Sequence, residues 1–200
     1  MEHMAKLLYQ GHASFRLTTA SGKVIYIDPF AGEGYDKPAD LVLITHEHFD
    51  HNAIDKVPLT SRTIQIRSKD ATNGVDYYDF DYCDCHIQAV PAYNSHHDRK
   101  ECVGYLVDVD GLKLYFAGDT ATTDYMKEMA DLHIDYAFLP IDGFYTMSPE
   151  EATECAKLIA PKHMVPIHSN PAMLQDMKQT MKVTYERAML MRPGMELPLE

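Results

Sequence analysis

No apolar run in this chain of 200 residues approaches the roughly 18 that a membrane helix needs, so a membrane-spanning role is not expected. Basic residues are scarce. Lys and Arg number 18 against 30 Asp and Glu, a formal charge of −12. A nucleic-acid backbone or an anionic lipid surface selects the opposite balance, so neither is an expected partner. Bound divalent cations would reverse that field locally, which keeps an anionic small molecule open as a substrate. Cysteine is sparse too: Cys83, Cys85, Cys102 and Cys155. Cys83-x-Cys85 is not the C-x-x-C of a zinc knuckle or a redox motif, and the four read as structural or surface thiols. The segment 1–6 lacks a basic stretch followed by an apolar one, so a cytoplasmic protein with reduced thiols is the expectation. Repeats, linkers and low-complexity tracts are missing, and one domain over 1–200 follows.

The first half alternates in the manner of strands. Lys6–Gln10, Ser14–Thr19, Lys23–Asp28, Leu41–Ile44 and Thr63–Arg67 are short apolar or alternating runs, punctuated at Gly11-His12 and Ser21-Gly22. Asp50–Lys56 reads as a short helix limited by Pro58, and 70–85 as a loop or irregular hairpin. His86–Val90 is a strand, and Val103–Val109 with Leu112–Ala117 make a hairpin around Asp110-Gly111. The second half alternates helix and strand: a Thr-capped helix over Thr122–Asp131, a strand at Tyr136–Leu139, and a helix opened by Ser148-Pro149 with Glu151 closing a capping box. A strand at His163–Ile167, a helix over Pro171–Met181, and a short helix with a terminal strand complete the chain. Strands first and strand–helix units after them suggest two packed sheets with helices outside, an α+β fold.

Chemistry concentrates in Thr45-His46-Glu47-His48-Phe49-Asp50-His51-Asn52, an H-x-H-x-D-H pattern directly after the apolar run 41–44. Imidazole nitrogen and carboxylate oxygen are the donors that zinc, manganese and iron(II) accept. His46 and His48 can face one way from an extended segment, while Asp50 and His51, past the turn, can face a second ion. Asp119, after the strand ending at Phe116-Ala117-Gly118, is placed to bridge two cations. His168 ends the apolar run 164–167 as a further ligand. His96 and His97 follow Pro91-Ala92-Tyr93-Asn94, and one of the two can complete the first site. Asp28 suits a carboxylate that orients a ligating imidazole. His12 is a pocket residue or a packed turn histidine. His3, His86, His133 and His163 lack comparable context and read as structural.

These motifs resemble the metallo-β-lactamase fold hydrolases, and within them the small branch of metal-dependent hydrolases similar to L-ascorbate-6-phosphate lactonase. The resemblance rests on Gly-His-Ala-Ser-Phe at 11–15, Ile-Asp-Pro-Phe at 27–30, Thr-His-Glu-His-Phe-Asp-His at 45–51, Ala-Gly-Asp-Thr at 117–120 and Pro-Ile-His at 166–168. It implies a four-layer αββα sandwich with two metals at one edge of the sheets. His46 and His48 would hold the first ion, Asp50, His51 and His168 the second, and Asp119 would bridge. Asn94 stands where the family usually has a histidine. A subset with Pro-Ala-Tyr-Asn carries its histidine seven residues before the next strand's glycine, which favours His97 over His96.

The implied chemistry is hydrolysis of a small-molecule ester, lactone or phosphoester by a metal-bound hydroxide, with two divalent ions, zinc first and manganese or iron as alternatives. Asp50 would orient the nucleophile or take its proton, and His97 or His12 would meet developing charge or the leaving group. A di-iron redox enzyme of the same fold is the competing expectation, resting on Glu47 between the two histidines. An RNA-processing role is opposed by the acidic charge. A homo-oligomer is open.

Overall fold

The computed structural model describes residues 4–200; His3 lies outside the described residues. Strands β1 (Lys6–Gly11), β2 (Ser14–Thr18), β3 (Val24–Ile27), β4 (Leu41–Leu43) and β5 (Ile64–Ile66) belong to one sheet. Strand β12 (Glu196–Pro198) closes it in the order β12-β1-β2-β3-β4-β5. The second sheet takes β6 (Asp79–Tyr82), β7 (Cys85–Pro91), β8 (Val103–Val109), β9 (Leu112–Phe116), β10 (Tyr136–Pro140) and β11 (His163–Ile167), in the order β11-β10-β9-β8-β7-β6. Each sheet is antiparallel on one side and parallel on the other: β3-β4-β5 run parallel in the first, β9-β10-β11 in the second.

Alternation along the strands explains the layering. Leu7, Tyr9, Phe15, Leu17, Ile25, Ile27, Leu41 and Leu43 point from the first sheet into a shared core with Ile87, Tyr105, Val107, Leu114, Phe116, Phe138 and Val165 of the second. Phe15, Phe116 and Phe138 meet at its centre, with ring centroids 4.7–5.4 Å apart. In β4 the intervening Val42 is buried as well, against Tyr26, Ala39 and Val57 on the outer side. This two-sided burial is why 41–44 reads as an unbroken apolar run.

Helices cover the outer face of the second sheet. Pro149–Ile159 buries Ala152, Cys155, Ala156 and Ile159, the i, i+3, i+4, i+7 stripe of an amphipathic helix, against Tyr115, Ala137 and Leu139. It starts where Ser148 Oγ accepts from the Glu151 N–H at 3.1 Å and stops before Pro161. The Glu151 carboxylate does not close a capping box. It accepts from the Thr122 N–H and hydroxyl at 2.9 and 3.1 Å, pinning the loop after β9. Over the first sheet the outer layer is thinner, built of Tyr35, Ile54 and Val57.

Local expectations shift in five places. Within 50–56 only Ile54–Lys56 is helical, and as a 3-10 turn. The backbone before it is spent on the turn that presents Asp50 and His51. Residues 125–132 form a 3-10 helix with Asp124 at the cap position instead of a threonine. The 70–85 region holds a short helix, Ser68–Ala71, and β6, which pairs with β7 through the tight turn Cys83-Asp84. In 171–181 helix is confined to Met177–Thr180, started by the Asp176 carboxylate, and 185–195 has none. No helix among the described residues is long and apolar enough to cross a membrane.

Candidate metal centre

The parallel strands end side by side, so the residues that follow them share one edge of the sandwich. β3 delivers Asp28, β4 delivers Thr45 to His51, and the loop after β9 delivers Asp119. β10 is followed by Ile141 and Asp142, and β11 by His168. The β1–β2 turn adds His12, and the loop after β7 adds Asn94 and His97.

These side chains form two adjoining groups around Asp119. His46, His48 and His97 make the first, with His97 Nε2 3.2 Å from His48 Nδ1. His12, Asp50, His51 and His168 make the second. Asp119 Oδ2 lies 3.9 Å from His46 Nε2, 3.4 Å from His97 Nε2 and 3.3 Å from His168 Nε2. Its other oxygen is 3.4 Å from His51 Nε2. One carboxylate thus faces both groups.

The donor set fits metal ions. His46 Nε2, His51 Nε2, His168 Nε2 and Asp119 Oδ1 are buried and find no hydrogen-bond partner among the described residues. Leaving such atoms unpaired costs about 1–3 kcal/mol each, so a native fold keeps them for a purpose. Nitrogen and oxygen donors set tetrahedrally about 2.0–2.2 Å from zinc stand about 3.3–3.6 Å from one another, close to the spacings around Asp119.

Four of the imidazoles, His46, His51, His97 and His168, have a partner at the far nitrogen. Asp28 Oδ2 lies 2.8 Å from His51 Nδ1, while the same carboxylate accepts from the Thr45 N–H and hydroxyl, both at 2.7 Å. Thr45 Oγ1 is 3.0 Å from His46 Nδ1. Asn94 Oδ1 is 3.0 Å from His97 Nδ1. Asp142 Oδ2 is 3.0 Å from His168 Nδ1. His12 Nε2 reaches Asp50 Oδ2 at 3.2 Å. For His46, His51 and His97 these contacts fix tautomer and ring orientation, and Asp142 faces His168 at ion-pair distance without hydrogen-bond alignment. His12, Asp28 and His168 do so from left-handed backbone, with φ of 54°, 44° and 45°, a strain that the surrounding contacts must hold.

Charge divides the two groups. Burial pushes His46 well below the usual histidine range, and its neighbour His51 adds to the effect, so it is neutral and ready to donate a lone pair. Burial also opposes a charge on His51 and His168. The facing carboxylates outweigh it: Asp119 and Asp28 hold His51 well above its ordinary value, and Asp119 with Asp142 lifts His168 to about 9. Asp50 and Asp119 are held below the usual carboxylate range, although burial alone would raise both. The His12 hydrogen bond offsets it for Asp50, and His168 with His51 for Asp119. Without metal, His51 and His168 face the carboxylates as imidazoliums, while burial lowers His12.

His46, His48, Asp50, His51, Asp119 and His168 all converge. His97, expected to act on substrate, lies among the donors of the first group, and His12 stands beside Asp50. His96 does not converge. It is exposed, and its ring packs 5.5 Å from Phe144. Glu47 turns outward to Arg67 at 2.7 Å and Asn52 at 2.9 Å, away from both groups. Sequence reasoning missed Thr45 and Asp142. The signal for Asp142 was an acid just past an apolar strand, the pattern that singled out Asp119.

A cleft of about 310 Å³ opens over both groups, lined by His48, Phe49, Asp50, His97, Asp119, Tyr145, His168 and Pro171.

A family model described as "Beta-lactamase superfamily domain" matches residues 6–168. A UPF0173 metal-dependent hydrolase from Thermococcus onnurineus is 33% identical, over 98% of this chain and 100% of its own length. A solved structure from Parabacteroides distasonis superposes with a TM-score of 0.75 at 31% identity, covering 93% of this chain and 92% of its own. Igni18, a metallo hydrolase from Ignicoccus hospitalis, gives a TM-score of 0.75 at 27% identity, covering 98% of this chain and 99% of its own.

Proposed function

The chain belongs to the beta-lactamase superfamily, among its UPF0173 metal-dependent hydrolases, and from that premise we propose that it hydrolyses a small-molecule ester, lactone or phosphoester at a centre of two divalent ions, zinc first. The observation that carries this reading is the set of buried, unpartnered Nε2 and carboxylate atoms facing one space around Asp119. When bound, two divalent ions supply a nucleophile from water at neutral pH and positive charge for the oxygen that becomes an anion. His46, His48 and His97 would hold one ion, Asp50, His51 and His168 the other, with Asp119 between them.

The remaining work belongs to the side chains. Asp50 is mostly buried but lines the cleft, and it is kept ionised by His12, so it can orient the attacking water and accept its proton. His12 holds Asp50 in that direction. Thr45, Asp28, Asn94 and Asp142 keep the imidazoles from rotating, so the donor array is organised before substrate arrives. Glu47, on which the di-iron alternative rested, pairs with Arg67 and Asn52 away from the centre.

The test is elemental analysis of protein purified without chelator, with turnover assays on simple esters, lactones and phosphoesters. Wild type is expected to carry zinc and turn over at least one class. Asp119→Ala is expected to lose metal and at least about a hundredfold in kcat/KM, more than loss of an outer partner costs. Full metal content and activity in Asp119→Ala would refute the assignment.

A further inference from the structure

The cleft wall beyond the donor atoms is aromatic. Phe49 lines the cleft and is 76% exposed, and Phe144, 68% exposed, stands behind the lining Tyr145. Phe49 packs edge-on to Phe30 at 5.7 Å on one side. Across the cleft, Phe144 and Tyr145 stand edge to face at 4.7 Å, and both touch the His96 ring. Pro171 closes the lining. Among the described residues, no Lys or Arg lines this cleft; Lys69 and Lys100 line the adjoining one, on the other side of His48 and His97.

The Phe144–Tyr145 turn is tied to both halves of the centre. Asp142 Oδ1 accepts from the N–H groups of Phe144 and Tyr145, both at 2.7 Å, and Oδ2 accepts from the Thr146 hydroxyl at 2.8 Å. That second oxygen also faces His168. From the other half, Asn94 donates its Nδ2–H to the Tyr145 carbonyl at 2.8 Å while its Oδ1 faces His97. The two residues that orient a candidate ligand imidazole in each half therefore also fix the aromatic turn. The turn is thus held by both Asn94 and Asp142.

We propose that the substrate is a carboxylic ester or lactone with a small apolar acyl or aryl group, held between Phe49 and the Asn94- and Asp142-anchored Tyr145 turn. This rests on the hydrolytic reading above and narrows it against phosphoesters. The acyl C–O bond breaks, the oxygen of water bonds to the acyl carbon, and the proton of water passes to the departing alkoxide. The products are an acid and an alcohol from an ester, or a single hydroxy acid from a lactone. The cleft volume of about 310 Å³ suits an acid of a few carbons, at the small end of ligand pockets.

The experiment uses zinc-loaded full-length protein in two assays. Calorimetry measures binding of acetate, butyrate and hexanoate as product anions, with inorganic phosphate for comparison. Turnover is measured on the p-nitrophenyl esters of the same acids and on p-nitrophenyl phosphate. The expected result is affinity and kcat/KM rising about two- to threefold per methylene, as partial burial of each group gives. In Phe49→Ala and Tyr145→Ala that gain shrinks, with the loss falling on KM more than on kcat. Both side chains are exposed at the rim, so their removal leaves the core intact. Equal affinity across the acids, or tighter binding of phosphate than of hexanoate, overturns the proposal. Chain-length-dependent binding without turnover upholds the apolar cleft while overturning the hydrolytic reading; turnover without chain-length dependence does the reverse.

Discussion

The two halves of the centre are built from similar residues and differ in charge. The first half offers three imidazoles, one of them the exposed His48, and shares the Asp119 carboxylate. The second adds Asp50 to the same shared carboxylate, and the Asp28 and Asp142 carboxylates stand behind its imidazoles. In the first half the corresponding supports are neutral, Thr45 and Asn94. A carboxylate behind an imidazole makes it a better donor than a hydroxyl or an amide does. The comparison teaches that a similar donor count need not mean similar affinity, and it ranks the second half as the tighter site.

The largest break in that comparison is expected from Asp28→Ala. It leaves His51 Nδ1 and the Thr45 N–H and hydroxyl without their acceptor in a fully enclosed place. Zinc affinity of the second half should fall about 10–100-fold in competition with a chelator, and the melting temperature should fall as well. Unchanged affinity would mean that the carboxylate only shapes the turn.

An intermediate effect comes from pH. In the metal-free protein His168 is raised to about 9 and His51 well above its ordinary value. A histidine whose folded value exceeds its unfolded one of about 6.5 stabilises fully below that pH. The stabilisation fades as pH climbs through about 9. Thermal melts in chelator should therefore lose ground across that window. Zinc must displace the same protons, so zinc affinity should rise over the same range, with protons released on binding. Melts in chelator that are flat with pH would show that the carboxylates do not hold these protons.

The smallest effect is expected from Asn94→Ala, which removes one neutral partner from His97 and one anchor from the aromatic turn. Zinc affinity of the first half should fall about tenfold, the low end for an outer partner, with the second half unchanged. Equal weakening of both halves, read from a two-site titration, would show that the turn and not the charge couples them.

How much of this was legible in the sequence follows the same divide between local and assembled features. The H-x-H-x-D-H loop was readable because it follows a strand buried on both faces, and Asp119 and His168 because each follows an apolar strand. Asp110-Gly111 announced its hairpin, and both residues adopt positive φ, 49° and 81°. Asp142 follows β10 in the same way, yet a lone aspartate before glycine reads as a turn residue until the fold brings it to His168. The segment 171–181 carries apolar spacing fit for a helix, but its backbone is used otherwise: the Leu174 carbonyl accepts from the His12 N–H, and the Asp176 N–H donates to Ser169. Tyr145 stood among seven tyrosines that could wall a pocket, and only the fold, which brings it and the distant Phe49 to one cleft, separates it from the others.

The most direct test of the charge difference is a stepwise zinc titration of metal-free protein by calorimetry, in wild type, His48→Ala and His168→Ala. The account predicts a tight and a weaker step in wild type, with the weaker step lost in His48→Ala and the tight one in His168→Ala. Loss of the tight step in His48→Ala, with His168→Ala keeping it, would contradict the ranking and the electrostatic reasoning behind it.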